Sequence, residues 1–190
     1  MKDKKSLRDE YRMKREALSN DQLHSLSIDI ANQVLRLDIW SNKLFHLFLP
    51  IEDKNEVRTE YIMQILQGRD KNIVVSRSNF KTRELQHFLV TDQTVYKLNH
   101  YGIPEPVGND FEVSPHQLDV VFIPLLAADH MGTRIGYGMG IYDRFLSQCR
   151  EDVIKIGISY FEPLDHEIKS SFNDVPLNML VTPVKAHHFE

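Results

Sequence analysis

Four of the chain's eight glycines, Gly132, Gly136, Gly138 and Gly140, fall within nine residues. Glycine tolerates positive φ and lets backbone come close to a ligand. Successive N–H groups in such a loop converge on an anion, and a helix beginning at its end adds the positive end of its dipole. Arg134, inside the run, offers a two-pronged donor matched to phosphate oxygens. Asp143, just beyond it, is a hard oxygen donor of the kind that shares magnesium with phosphates. A tight turn with a well-charged helix start would account for one glycine. Four glycines with Arg134 and Asp143 after a buried strand point instead to phosphate binding. Two better-known motifs are absent: there is no G-x-x-x-x-G-K-S/T, and Ile141 stands where the third glycine of G-x-G-x-x-G would be.

The elements that must hold this loop follow from the hydrophobic period. Residues 4–18 are dense in helix formers, with Leu7, Tyr11 and Leu18 at helical spacing. Ser19 and Gln22 make a capping box for a second helix whose stripe is Leu23, Leu26, Ile30, Val34 and Leu37. The period then changes. Residues 44–49 form a short apolar run ended by Pro50, which suits a strand covered on both faces. A helix over 57–67 closed by Gly68 is expected next, then strands at 73–75, 85–90, 119–124, 153–159 and 179–182, and a helix over 140–149. Strands alternating with helices predict an α/β fold: a single three-layer domain, 1–190, with a mostly parallel sheet and helices on both faces. Ligands of such sheets sit past the carboxyl ends of strands, where the loop after Pro124 lies.

Composition narrows the function. The net charge of −4 gives no reason to expect nucleic acid or an anionic membrane as partner. The charged start MKDKKSLRDEYRMKREALS lacks the apolar core of a secretory signal, and no apolar run approaches bilayer length. The expected location is cytoplasmic, and a monomer is expected. Cys149, the one cysteine, sits on the apolar side of a helix and reads as an inert buried thiol. His46 reads as a satisfied core residue; His187 and His188 read as a frayed tail rather than a metal site.

The long loop resembles the signature of the 5-formyltetrahydrofolate cyclo-ligases, P-G-L-A-F-D followed by G-x-R-L-G-x-G-x-G-x-Y-D. This chain has Pro124-Leu125-Leu126-Ala127-Ala128-Asp129, then Gly132-Thr133-Arg134-Ile135-Gly136-Tyr137-Gly138-Met139-Gly140-Ile141-Tyr142-Asp143. Weaker collinear blocks extend the likeness: Lys4-x-x-Leu7-Arg8, Glu56-x-x-Thr59, Gly102-Ile103-Pro104-Glu105-Pro106 and Asn173-Asp174-Val175-Pro176.

The resemblance implies a ligase that uses ATP as co-substrate to cyclise 5-formyltetrahydrofolate to 5,10-methenyltetrahydrofolate, through phosphorylation of the formyl oxygen. It implies that Lys4, Arg8 and Arg134 neutralise ATP phosphates, with Lys4 and Arg134 acting in catalysis. Gly136, Tyr137, Gly138, Met139, Gly140 and Tyr142 would contact the nucleotide. Asp143 and Asp174 would hold Mg2+. Glu56 would accept from the pterin, with Leu49, Tyr137, Gly138, Met139, Gly140 and Ile141 around the folate.

Read without the family, Lys4 and Arg8 are solvated charges on a helix. Glu56 favours a helix N-terminus, Asp174 makes an Asx-turn, and Tyr142 is equally a core residue. Leu125, Ala128, Asn173 and Asn178 depart from the family pattern, so the turn at 125–128 is expected to differ in shape. Two rivals stay open on the same loop: an ATP-free sugar-phosphate isomerase or transferase, and a folate- or nucleotide-binding module without turnover.

Overall fold

The apolar run that begins at Leu44 becomes the centre of the sheet. In the computed structural model, which describes residues 3–108 and 111–189, the helices are α1 (Lys4–Glu16), α2 (Asn20–Leu35), α3 (Glu60–Gly68) and α4 (Ile141–Leu146). The strands are β1 (Leu44–His46), β2 (Asn72–Asn79), β3 (Glu84–Leu89), β4 (Val95–Leu98), β5 (Pro104–Val107), β6 (Val120–Pro124), β7 (Ala127–Ala128), β8 (Arg134–Ile135), β9 (Ile154–Ile158), β10 (Met179–Val181) and β11 (Ala186–His188). Seven of them make one sheet in the order β11-β10-β9-β6-β1-β2-β3. The five inner strands are parallel and the two edges antiparallel.

Alternation along buried strands supplies two cores. Val120 and Phe122 of β6 pack with Ile30, Val34, Ile62 and Leu66 from α2 and α3. Val121 and Ile123 face the other way, onto Phe145 and Leu146 of α4. Helices therefore cover both faces, as the alternating pattern predicts. A smaller cluster seats Leu7 and Tyr11 of α1 on Leu126, Ala127 and Ile135 of the β7–β8 hairpin.

From β1 the chain runs through α3 to β2 on one side. Later it returns to β6 on the other side of β1. The strand order reverses between β1 and β6, which opens a crevice past their carboxyl ends.

The capping box at Ser19 and Gln22 is present. Helix α3, by contrast, begins at Glu60 rather than near Val57. Long-range bonds tie down the preceding residues: Tyr160 Oη donates to the Glu56 carbonyl at 3.0 Å, and Thr59 Oγ1 donates to the Phe48 carbonyl at 2.7 Å. Gly68 does not close α3 with a left-handed turn. The helix runs through it, and Asp70 takes the positive φ of 54°. Helix α4 stops at Leu146, so Cys149 lies beyond it in a turn, buried all the same. The hairpins β4–β5 and β7–β8 were not foreseen. Nor was β11, in which His187 and His188 pair with β10 rather than fraying; His187 Nε2 also meets Glu162 at 2.9 Å. No helix among the described residues is long and apolar enough to cross a membrane.

Candidate active site

A cavity of about 490 Å3 opens at the reversal point, and every site residue nominated from the sequence lines it. The glycine loop reaches it through a chain of local devices. Asp129, fully buried, accepts from Met131 N at 3.0 Å and Thr133 N at 2.8 Å through Oδ1, and from Ile168 N at 2.7 Å through Oδ2. This closes the β7–β8 turn. Gly132 has φ 79° there, and a Cβ would stand 2.9 Å from the Leu177 carbonyl oxygen. Arg134 then enters the cavity with its guanidinium almost enclosed.

Arg134 donates to the Val175 carbonyl and, at 2.6 Å, to Asp143 Oδ1. Asp143 Oδ1 also accepts from Val175 N at 3.1 Å. Burial pulls the Arg134 pKa down from its usual value, and Asp143 and Asp174 oppose that fall. An arginine so placed stays charged.

Helix α1 closes the same side. Arg8 Nε donates to the Gly136 carbonyl at 2.9 Å, and its guanidinium lies over Gly138, where a Cβ would be 3.0 Å from Arg8 Cζ. Lys4 pairs with Asp174. Asp174 also makes the local turn, accepting from Ser171 N and Oγ. Burial raises its pKa, but the bonds from Lys4 and Ser171 outweigh that and leave it lowered.

The cavity also presents an acceptor. Glu56 lies four residues before the start of α3. Its carboxylate accepts from Ile51 N at 2.8 Å and from Tyr137 Oη. Burial raises its pKa, partly offset by Tyr137, Ile51 and Arg15. Arg15 NH2 donates to Tyr137 Oη at 2.6 Å, and Lys54 Nζ lies 4.3 Å from the Tyr137 ring centre. Tyr142 is both core and cavity wall: its ring meets His46 and Phe145 while it lines the opening.

Among the described residues no group of three or more His, Cys, Asp or Glu side chains could hold a metal unaided. Asp143 and Asp174 fit a narrower role, because magnesium is commonly held by one or two carboxylates together with substrate phosphates and water.

Arg15, Lys54, Ser76, Phe80 and Tyr101 were missed. Arg15 had a signal: with Lys4 and Arg8 it falls on one face of α1. Phe80 and Tyr101, with ring centres 4.4 Å apart, had none, since only packing of the β4–β5 hairpin unites them. The departures are absorbed locally. Leu125 fills space left by Gly157, whose Cβ would come within 2.6 Å of it. Ala128 is buried in β7, opposite Arg134. Asn178 Oδ1 accepts from Lys155 N at 2.9 Å, a sheet contact. Asn173 is exposed and does not line the cavity.

Comparisons with known proteins identify the family. The model of the 5-formyltetrahydrofolate cyclo-ligase family matches residues 1–183. A 5-formyltetrahydrofolate cyclo-ligase from Haemophilus influenzae is 30% identical over 177 residues, spanning 92% of this chain and 94% of that one. A probable 5-formyltetrahydrofolate cyclo-ligase from Schizosaccharomyces pombe is 28% identical over 185 residues, 88% of this chain and 89% of its own. The NMR structure of the Aquifex aeolicus 5,10-methenyltetrahydrofolate synthetase superposes with a TM-score of 0.84 at 26% identity, covering 98% of this chain and 93% of that one.

Proposed function

The chain belongs to the 5-formyltetrahydrofolate cyclo-ligase family, and from that premise we propose how its cavity carries out the family reaction, the ATP-dependent conversion of 5-formyltetrahydrofolate to 5,10-methenyltetrahydrofolate with release of ADP and phosphate. One observation carries the reading: Lys4 and Arg8 of α1 and Arg134 of β8, far apart in the chain, line one cavity with the glycine loop and the carboxylate of Glu56.

The chemical difficulty is the formyl oxygen, a poor leaving group while it belongs to an amide. Phosphoryl transfer from ATP to that oxygen makes it a good one. Nitrogen 10 then attacks the formyl carbon, and the oxygen departs as phosphate while the five-membered ring closes. The protein's share is positioning and charge neutralisation. Lys4, Arg8 and Arg134 take the phosphate charge, and the Gly136–Gly140 backbone wraps the transferring group. Tyr142 lies beside the nucleotide. Asp143 and Asp174 would hold magnesium, which when bound would neutralise further phosphate charge. Glu56 accepts N–H donors of the pterin, and Leu49, Tyr137, Met139 and Ile141 wall the folate. The chain acts as one domain, 1–190, with α1 part of the nucleotide site, and works as a cytoplasmic monomer.

The test is direct. Purified protein with 5-formyltetrahydrofolate should develop the near-ultraviolet absorbance of the methenyl product only when Mg-ATP is present. Turnover without nucleotide would favour the isomerase reading; tight folate binding with no ATP consumed would favour a binding module.

A further inference from the structure

Strands β1, β2 and β3 carry a polar row on the α4 face of the sheet that the mechanism above does not use. Ser76 of β2 is in register with His87 of β3, and His46 of β1 lies on its other side. Ser76 Oγ stands 2.7 Å from His46 Nε2 and 2.8 Å from His87 Nδ1. Both imidazoles are buried, 0% and 2% exposed, beneath Tyr142 and Phe145. Ser76 lines the cavity. His46 Nδ1 and His87 Nε2, on the far sides of the two rings, are buried without a hydrogen-bond partner.

Counting protons decides what Ser76 offers the cavity. Desolvation lowers the pKa of both rings, His87 to about 4, so at neutral pH each has one N–H and one bare nitrogen. A serine hydroxyl has one proton and two lone pairs. If His46 donated and His87 accepted, His87 Nε2 would carry a buried proton with no acceptor, a costly state. The reverse arrangement leaves the same unpaired proton on His46 Nδ1. If both rings donate, each outer nitrogen is bare and no buried proton lacks an acceptor. The arrangement left is His46 Nε2–H and His87 Nδ1–H, both to Ser76 Oγ, which fills its two lone pairs and leaves the hydroxyl proton for the cavity.

We infer that Ser76 is a substrate-binding residue oriented by His87 and His46, presenting its hydroxyl proton to the cavity and donating it to an acceptor of the reduced pterin of 5-formyltetrahydrofolate. The inference rests on the folate reading above. It gives the cavity a neutral donor in addition to the acceptor Glu56, which suits a ring system that carries a carbonyl as well as N–H groups. His46 and His87 are positioning residues.

Steady-state kinetics of the full chain tests this. Ser76→Ala should raise KM for 5-formyltetrahydrofolate about tenfold, the size of a lost hydrogen bond, with KM for ATP unchanged. His87→Leu should do the same, because the hydroxyl loses one of the two donors that aim its proton at the cavity. His87→Asn, whose amide N–H can replace Nδ1–H, should stay within about twofold of wild type. Normal wild-type turnover with an unchanged folate KM in folded Ser76→Ala overturns the inference alone. If Ser76→Ala does not fold, equal folate KM in the Leu and Asn variants of His87 overturns it. A wild-type protein that neither turns over nor binds 5-formyltetrahydrofolate overturns the functional reading and this inference together.

Discussion

Arg8 lies across Gly138 so closely that a Cβ there would stand 3.0 Å from Cζ, and the guanidinium would have to shift to admit it. Gly138 also has φ 90°, where a side chain costs about 1–2 kcal/mol. The helix cation and the loop backbone therefore form one phosphate surface that depends on the missing Cβ. Gly138→Ala should raise KM for ATP by about tenfold and KM for folate by less, which initial rates against each substrate will show.

Arg134 and Asp143 are expected to be indispensable. Arg134→Ala removes a preorganised donor to the transferring phosphoryl group and should lower kcat by about 10²–10³-fold. Arg134→Lys should not restore it, since an ammonium cannot serve Val175, Asp143 and phosphate in one fork. Asp143→Asn should raise the magnesium concentration needed for half-maximal rate. Circular dichroism should show all three folded. Full activity in Arg134→Ala would remove the loop assignment.

The pH dependence of folate binding should report Glu56. Burial raises its pKa above the ordinary 4.5, so on acidification it takes up a proton earlier than a free carboxylate would. Protonated, it no longer accepts the pterin's paired N–H groups as an anion. Folate KM should therefore rise as pH falls, over a range shifted upward from 4.5. In Glu56→Gln it should be high throughout, by about 10- to 100-fold, and flat over that range. The same shift has a stability sign. The folded state binds this proton more tightly than the unfolded chain, so the Glu56 contribution is largest in acid and declines as pH rises from the unfolded value to the folded one. Urea titrations of wild type and Glu56→Gln across that window will show it.

Leu125 and Gly157 should prove coupled. Gly157→Ala forces its Cβ against Leu125 and Leu177, each at 2.6 Å, and should cost about 1–3 kcal/mol. Leu125→Ala opens a void and should cost about 2–5 kcal/mol. Together they should cost less than the sum, because the new methyl enters the space vacated. Chemical denaturation of the four proteins gives the cycle.

Cys149 should be unreactive in the native state. Burial pushes its thiol up to about 11, which leaves almost no thiolate at neutral pH. Thiol reagents should label it only after denaturation.

The features readable without coordinates were those encoded within a few residues. The change of hydrophobic period marked the buried strands and covering helices, the Ser19–Gln22 cap marked the start of α2, and four glycines with Arg134 and Asp143 marked an anion loop. Each depends on local dihedrals and spacing, which residue type constrains directly. What the tertiary structure decided was which distant groups share that loop. Lys4 meets Asp174 across 170 positions, and Tyr137 meets Glu56 across 81. Arg15 joins them because α1 docks on the β7–β8 hairpin, and Tyr101 because β4–β5 folds toward β2. The row of His46, Ser76 and His87 exists only through strand register, and a slip of one residue would turn Ser76 to the opposite face. Even the start of α3 was set from afar, by Tyr160 holding the Glu56 carbonyl. Strand order, register and docking close long loops through contacts that no local pattern records, so those parts of the site came into view only with the fold.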